Sequence, residues 1–287
     1  MIFRKLRKSA TEISFARKWL LRYLKNRGKT SVLNTSGEKI IIVGNGPSTG
    51  EFEFEEFAKL GYNFVCVNFF ALDEEKFFSI KPKYYCVSDN AFYDRSRQEK
   101  SGETDGFNRL VEILEKVDWE MTFVLAANKE PFFNNRRIAI QKLNLNNYDG
   151  SIDWLTLKLY DKNIACFSNI LNVVSSALFF CLSGNATEIG LIGAENNIIH
   201  QLRVTENNDV LVEREHFYGT STLNLIERGK VKKGELYKYM QMCSDTFRNY
   251  YKLASYAKMK GIPVYNLCMN SLIDVFEKKH ASDLLRK

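Results

Sequence analysis

A chain of 287 residues that is 45% hydrophobic and 13% aromatic can bury a sizeable core, which excludes an intrinsically disordered protein. Its net charge of +7 is unevenly placed: residues 1–30 hold ten Lys or Arg against one acid, Glu12, and so carry all of it, leaving a slightly negative remainder. A near-neutral body argues against nucleic acid as the partner.

In chain order, residues 9–27 (SATEISFARKWLLRYLKNR) place Ile13, Ala16, Trp19, Leu20, Tyr23 and Leu24 at helical spacing. Arg17, Lys18, Arg22 and Lys25 fall mostly off that stripe, and Ser9 with Glu12 forms a capping box. A basic amphipathic helix of this kind suits the headgroup layer of an anionic membrane, the alternative being a helix packed on its own domain or on a partner. Residues 1–30 are therefore predicted as a membrane-surface helix, 31–38 as a turn-rich linker and 39–287 as one α/β domain. No apolar stretch reaches the roughly 18 to 20 residues that would span a bilayer, and charges interrupt the N-terminus too often for a signal peptide.

From Lys39 onward, strands and helices alternate. KIIIVG, NFVCVNFF, KPKYYCVSD, MTFVLAAN, NIACF, ATEIGLIGAE and IPVYNLC read as strands. EFEFEEFAKLG, FNRLVEILEKV, NILNVVSSALFFCLSGN and the long KGELYKYMQMCSDTFRNYYKLASYAKMKG read as helices. Residues of about 130–163 and 196–235 are predicted as irregular insertions. This alternation predicts a doubly wound, mostly parallel sheet of Rossmann type. The six cysteines form no CxxC pair and have no nearby His at ligand spacing, so they read as buried small apolar residues rather than metal ligands.

Ligands of such sheets sit outside the carboxyl ends of the strands. There the sequence offers Gly44, Asn45, Gly46 and Ser48, then Asn68, then Asp89 and Asn90, then Ser168 and Asn169, then Gly193, Glu195 and Asn196, and last Ser271. Most are small neutral hydrogen-bonding groups. No Asp-x-Asp occurs, which disfavours a nucleotide-sugar enzyme that holds its diphosphate through a cation. IIIVGNGPS is neither a Walker loop nor Gly-x-Gly-x-x-Gly; it is either a backbone cradle for a phosphate or a tight structural corner. Of the three histidines, His280 lies in a charged tail. His216, in EREHFYG beside Tyr218, is predicted to sit in a loop as a general base, with His200 as the second candidate.

IIIVGNGPS, VCVNFF, FSN before an apolar helix, EIGLIGAENN, the HFYG loop and VYNLCMNSLI occur in an order that resembles the bacterial sialyltransferases of lipo-oligosaccharide synthesis. It also resembles related uncharacterised surface-polysaccharide proteins. The resemblance spans residues 40 to about 275 in short islands. It implies a GT-A-like fold with a lid-like insertion and a metal-independent, inverting transferase with no cofactor. The donor would be a CMP-activated acidic sugar, the acceptor a lipid-linked or lipo-oligosaccharide glycan, and the location the cytoplasmic face of the inner membrane. By motif position it sets Asn45 and Ser48 at the donor phosphate or sugar, Asn68 and Asn90 near the nucleotide, and Ser168 and Asn169 at the donor carboxylate or phosphate. Asn196 falls near the departing CMP and Ser271 on the cytidine side. The family's base His aligns with Thr220, and His216 matches an earlier His of that loop; the family's tyrosine pair at the leaving phosphate is missing, and Tyr218 stands nearby. The alternatives are a Mg-dependent diphosphokinase using Asp89 and Glu195, and a non-catalytic membrane-associated binding protein. A homo-oligomer is compatible with the sequence but not required by it.

Overall fold

The computed structural model describes residues 34–101, 104–147, 153–167, 172–197, 199–217 and 219–286, together with seven helical residues between Ile13 and Leu24. Its strands are β1 (Lys39–Val43), β2 (Tyr62–Val67), β3 (Tyr84–Cys86), β4 (Met121–Ala126), β5 (Ile138–Asn147), β6 (Ile164–Phe167), β7 (Glu188–Ile192), β8 (Leu202–Val204), β9 (Val210–His216), β10 (Gly219–Asn224), β11 (Val264–Asn266) and β12 (Glu277–Lys278). Its helices are α1 (Phe54–Lys59), α2 (Glu74–Ile80), α3 (Arg95–Ser101), α4 (Thr104–Glu115), α5 (Asp153–Tyr160), α6 (Val173–Ser183), α7 (Leu236–Lys260) and α8 (Ala281–Leu285).

Nine strands form one sheet in the order β12-β11-β7-β1-β2-β3-β4-β5-β6, with every pairing parallel. The chain runs outward from β1 to β6, then returns to lay β7 against the other edge of β1, with Val43 opposite both Cys66 and Ile192. This makes the exits of β1 and β7 the topological switch point, where the connections diverge. Ile40 to Val43 are fully buried, as a central parallel strand covered on both faces requires. On one face α6 lies across β1 to β3 and packs against α7. It is apolar all round (VVSSALFFCLS) and wholly buried, the pattern of a helix with no solvent side. α1, α2 and α4 lie in the connections between β1 and β4, which the right-handed crossover rule sets on the other face.

Three expectations are corrected. Residues 130–163 contain β5 and α5; β5 carries so many Asn and Lys (IAIQKLNLNN) that apolar run length hides it. Residues 202–224 are not irregular but form an antiparallel sheet β10-β9-β8, so His216 ends a strand instead of lying in a loop. Its polar alternation follows from burying one face only, on a small core of Val210, Val212, Leu225, Val231, Tyr239 and Cys243. The linker also gives way at its end: Thr35 is fully buried, its amide donating to Gly184 O (2.8 Å) and its hydroxyl to Cys181 O (3.0 Å). The ordered body thus includes residues 34–38.

Candidate active site at the sheet switch point

At the exit of β1 the chain turns through Gly44-Asn45-Gly46-Pro47-Ser48 under the exit of β7. Gly44 N donates to Ile192 O (2.8 Å) and Gly46 N to Gly193 O (2.9 Å), extending the β1–β7 pairing past both strands. Ser48 N donates to Glu195 Oε1 (2.8 Å), and Ser48 Oγ donates to Cys268 Sγ (3.2 Å) while accepting from Gly193 N (3.0 Å). Ser271 Oγ donates to Ala194 O (2.8 Å), and Leu272 N to Glu195 O (2.8 Å), so the β11 exit joins the same knot. Burial, with the Glu195 carboxylate second, pushes the Cys268 thiol up to about 11, so it stays protonated as a small packing group.

These bonds decide the role of the turn. A phosphate cradle needs outward-facing N–H groups, yet those of Gly44, Gly46 and Ser48 are already engaged inside the protein. Glu195 is 6% exposed and one of its oxygens, Oε2, lies under Gly46, where its carboxylate would repel a phosphate. Gly44, Gly46, Ser48, Gly193, Glu195 and Ser271 therefore build the frame, and of the two readings of GNGPS these bonds favour the structural corner over the phosphate cradle.

What the frame holds up is different. The Asn45 carbonyl accepts from Phe217 N (3.1 Å) and lies 3.3 Å from His216 Nδ1, which ties the end of β9 to the exit of β1. Phe217 packs on Phe70, with Lys76 over its ring at 4.8 Å. Among the described residues the amide oxygen Asn45 Oδ1 has no partner, nor do Asn68 Oδ1 and Ser88 Oγ at the exits of β2 and β3. Asn68 is held in the left-handed region (φ 49°) by its N–H on Cys86 O and by the Tyr85 hydroxyl on its carbonyl. Asn is among the few residues that tolerate this conformation.

On the β7 side, Asn196 (φ 48°) belongs to a cluster that the sequence did not reveal. Asn172 Nδ2 lies 3.1 Å from Asn196 Oδ1 and 2.9 Å from Tyr250 Oη, and Asn196 Nδ2 donates to the same phenol (3.1 Å). Burial pushes the Tyr250 phenol up to about 12, keeping it protonated. Asn172 is legible as the N-cap of α6, where its Oδ1 accepts from Val174 N. Tyr250 is not legible, because its partners lie 54 and 78 residues away.

The other candidates disperse. His200 is exposed; the β8–β9 register, continued by Glu213 N donating to Gln201 O, sets it about opposite Arg214, two residues before His216. Asp89 caps the turn at Asn90–Tyr93 by accepting from Ala91 N (3.0 Å), and Asn90 is exposed. Tyr218, Ser168 and Asn169 lie outside the described residues. Among the described residues no group of three His, Cys, Asp or Glu could hold a metal ion. A concavity of about 710 Å³ between α1 and α2 is lined by Glu53, Glu55, Glu56, Asp73 and Glu75, a charge unsuited to a nucleotide phosphate.

No protein-family profile matches the chain, and no curated relative matches it in sequence. Solved structures do. The sialyltransferase CstII from Campylobacter jejuni in complex with the substrate analogue CMP-3FNeuAc is 14% identical with a TM-score of 0.43, over 84% of this chain and 85% of that one. The monofunctional α-2,3-sialyltransferase Cst-I from the same organism is 13% identical with a TM-score of 0.42, over 88% and 89%. An α-2,3-sialyltransferase from Campylobacter jejuni in apo form gives 13% and 0.41, over 86% and 82%. All three of these solved structures are sialyltransferases from Campylobacter jejuni.

Proposed function

We propose that the chain is an inverting glycosyltransferase that moves a sugar, an acidic one such as sialic acid or a relative, from a CMP-activated donor to a cell-surface glycan. The observation that carries this reading is the meeting of His216 with Asn45 at the switch point, beside amide and hydroxyl oxygens of Asn45, Asn68 and Ser88 that have no partner among the described residues. CMP as the nucleotide comes from the motif resemblance.

In this reading, a His216 tautomer with Nδ1–H donating to Asn45 O carries its lone pair on Nε2. That nitrogen takes the acceptor hydroxyl proton as the oxygen attacks the anomeric carbon. The bond from that carbon to the phosphate oxygen breaks, and CMP leaves with the electron pair. The leaving group is a stable phosphate monoester, so neutral donors suffice to steady it. The Nδ2 groups of Asn45 and Asn68 supply them in this scheme, with Asn196 on the β7 side and Tyr218, Ser168 and Asn169 assigned by motif position. A Mg-dependent kinase would need Asp89 and Glu195 to share a cation, whereas Asp89 caps a turn and Glu195 holds Ser48 N.

A thermal-shift panel of CMP, CDP, UDP, GDP and ATP, each with Mg²⁺ and with EDTA, tests the assignment on the full chain. CMP at about a hundredfold excess over its Kd should stabilise by about 2.7 kcal/mol, a rise of several degrees in Tm, unchanged by EDTA. A response confined to ATP with Mg²⁺ would sink the reading.

We further propose that residues 1–30 hold the enzyme on the cytoplasmic face of an anionic membrane. Ile13, Leu20, Leu21 and Leu24 are helical and exposed, and the segment's charge is one-sided. Among the described residues no helix is long and apolar enough to cross a membrane. The chain should float with vesicles containing phosphatidylserine and stay behind with phosphatidylcholine alone; equal flotation with both would remove the electrostatic part of the claim.

A further inference from the structure

A second concavity opens on the same edge of the sheet, past the exits of β3 and β4. It measures about 520 Å³ and is lined by Asn90, Tyr93, Asp94, Arg95, Ser96 and Lys129. Adjacent strands are roughly 5 Å apart, so this hollow starts about 10 to 15 Å from the exit of β1, within reach of a short oligosaccharide whose end lies at His216.

Its charge balance is the informative part. Three acids lie near the two cations along the chain: Glu99 pairs with Arg95 in an exposed contact, and the other two are turned to other tasks. Asp94 Oδ1 accepts from Ser96 N (3.1 Å) and Ser96 Oγ (2.8 Å), and Glu130 is paired with Lys142 (2.6 Å). Lys129 forms no ion pair among the described residues; its ammonium stands 5.0 Å from the centre of the Tyr93 ring, a cation–π contact that leaves N–H groups for another acceptor. Among the described residues the buried Tyr93 hydroxyl has no partner. Arg95 is engaged through Nε with Glu99 (3.3 Å) and through Nη1 with Asn108 (3.5 Å), an exposed arrangement that a stronger oxyanion can replace or share.

We infer that this hollow is an acceptor subsite for an oxyanion, a phosphate or a carboxylate carried by the acceptor glycan a short distance from the hydroxyl that reacts. Lys129 is its principal ligand and Arg95 the second, with the Tyr93 hydroxyl available as a neutral donor. This deepens the glycosyltransferase reading and rests on it: the enzyme would select charged acceptors over neutral ones of the same length.

The test is calorimetric titration of the full chain with a galactosyl disaccharide in three forms: neutral, phosphorylated, and ending in a uronic acid. The charged forms should bind about tenfold or more tightly than the neutral one, as hydrogen bonds to charged groups allow. The preference should fall close to unity in Lys129→Ala/Arg95→Ala, survive in Lys129→Arg, and shrink with added salt. The two charged arms tell whether phosphate or carboxylate is favoured. Neutral-sugar affinity and the CMP thermal shift should be unchanged in the double variant. Equal binding of neutral and charged sugars, or a preference that persists in the double variant, overturns the subsite. A charged-sugar preference without any CMP response keeps the subsite and removes the transferase reading; a CMP response without the preference does the reverse.

Discussion

Replacing His216 with Asn should lower kcat for transfer from a CMP-sugar by about 10² to 10⁴, the usual contribution of a general base, while the CMP thermal shift stays as in the parent. The substitution is chosen for its geometry. His216 Nδ1 lies 3.3 Å from Asn45 O, and an Asn amide nitrogen occupies nearly the position of Nδ1, so the tie between β9 and the β1 exit is kept while the basic nitrogen is lost. His216→Ala loses both, and its additional cost over His216→Asn measures the tie itself. Single-turnover release of CMP in the presence of acceptor gives the chemical step directly. If His216 only pins β9, His216→Asn will keep the parental kcat and His216→Ala alone will be impaired. That outcome would return the base to another residue of the same segment.

The parts of the fold that were legible are those where one physical signal dominates. KIIIV is an uninterrupted apolar run because β1 is covered on both faces. Gly61 and Gly261 end α1 and α7 at positive φ as C-terminal glycines do. The antiparallel sheet escaped because VLVEREH and GTSTLN alternate only weakly and bury little; their pairing depends on partners across the sheet, not on local period. For the site, the position of His216 in the chain was readable, but its strand was not. The polar strand exits were readable as a set, yet their division of labour was not. Ser48 and Ser271 look like ligand contacts in sequence because a small hydroxyl serves a phosphate or a buried carbonyl equally well. Only the approach of β7 and β11, 140 or more residues away from Ser48, shows that its donors point inward.

That division of labour makes the glycines of the switch point intolerant of a side chain, and Gly193→Ala should destabilise the protein by more than about 3 kcal/mol, read as a lower urea midpoint. Gly193 has φ +65°, and a Cβ there would lie 2.0 Å from Thr49 Oγ1 and 2.5 Å from Gly44 O. Gly44 faces it from the other strand, with a Cβ only 2.2 Å from Gly193 O, so Gly44→Ala should behave alike. Neither clash can relax easily, because the Gly44–Ile192 and Gly46–Gly193 hydrogen bonds hold both backbones at that separation. Gly229 provides the control: its φ is +64° but nothing lies within 4 Å of its Cβ position. Gly229→Ala should therefore cost only the intrinsic left-handed penalty of about 1 to 2 kcal/mol, and the excess at Gly193 isolates the close approach. If Gly193→Ala instead keeps the parental midpoint and loses the CMP shift, the turn faces the ligand and the cradle is restored. If it loses stability as expected, the glycines shape the corner that presents Asn45 beside His216.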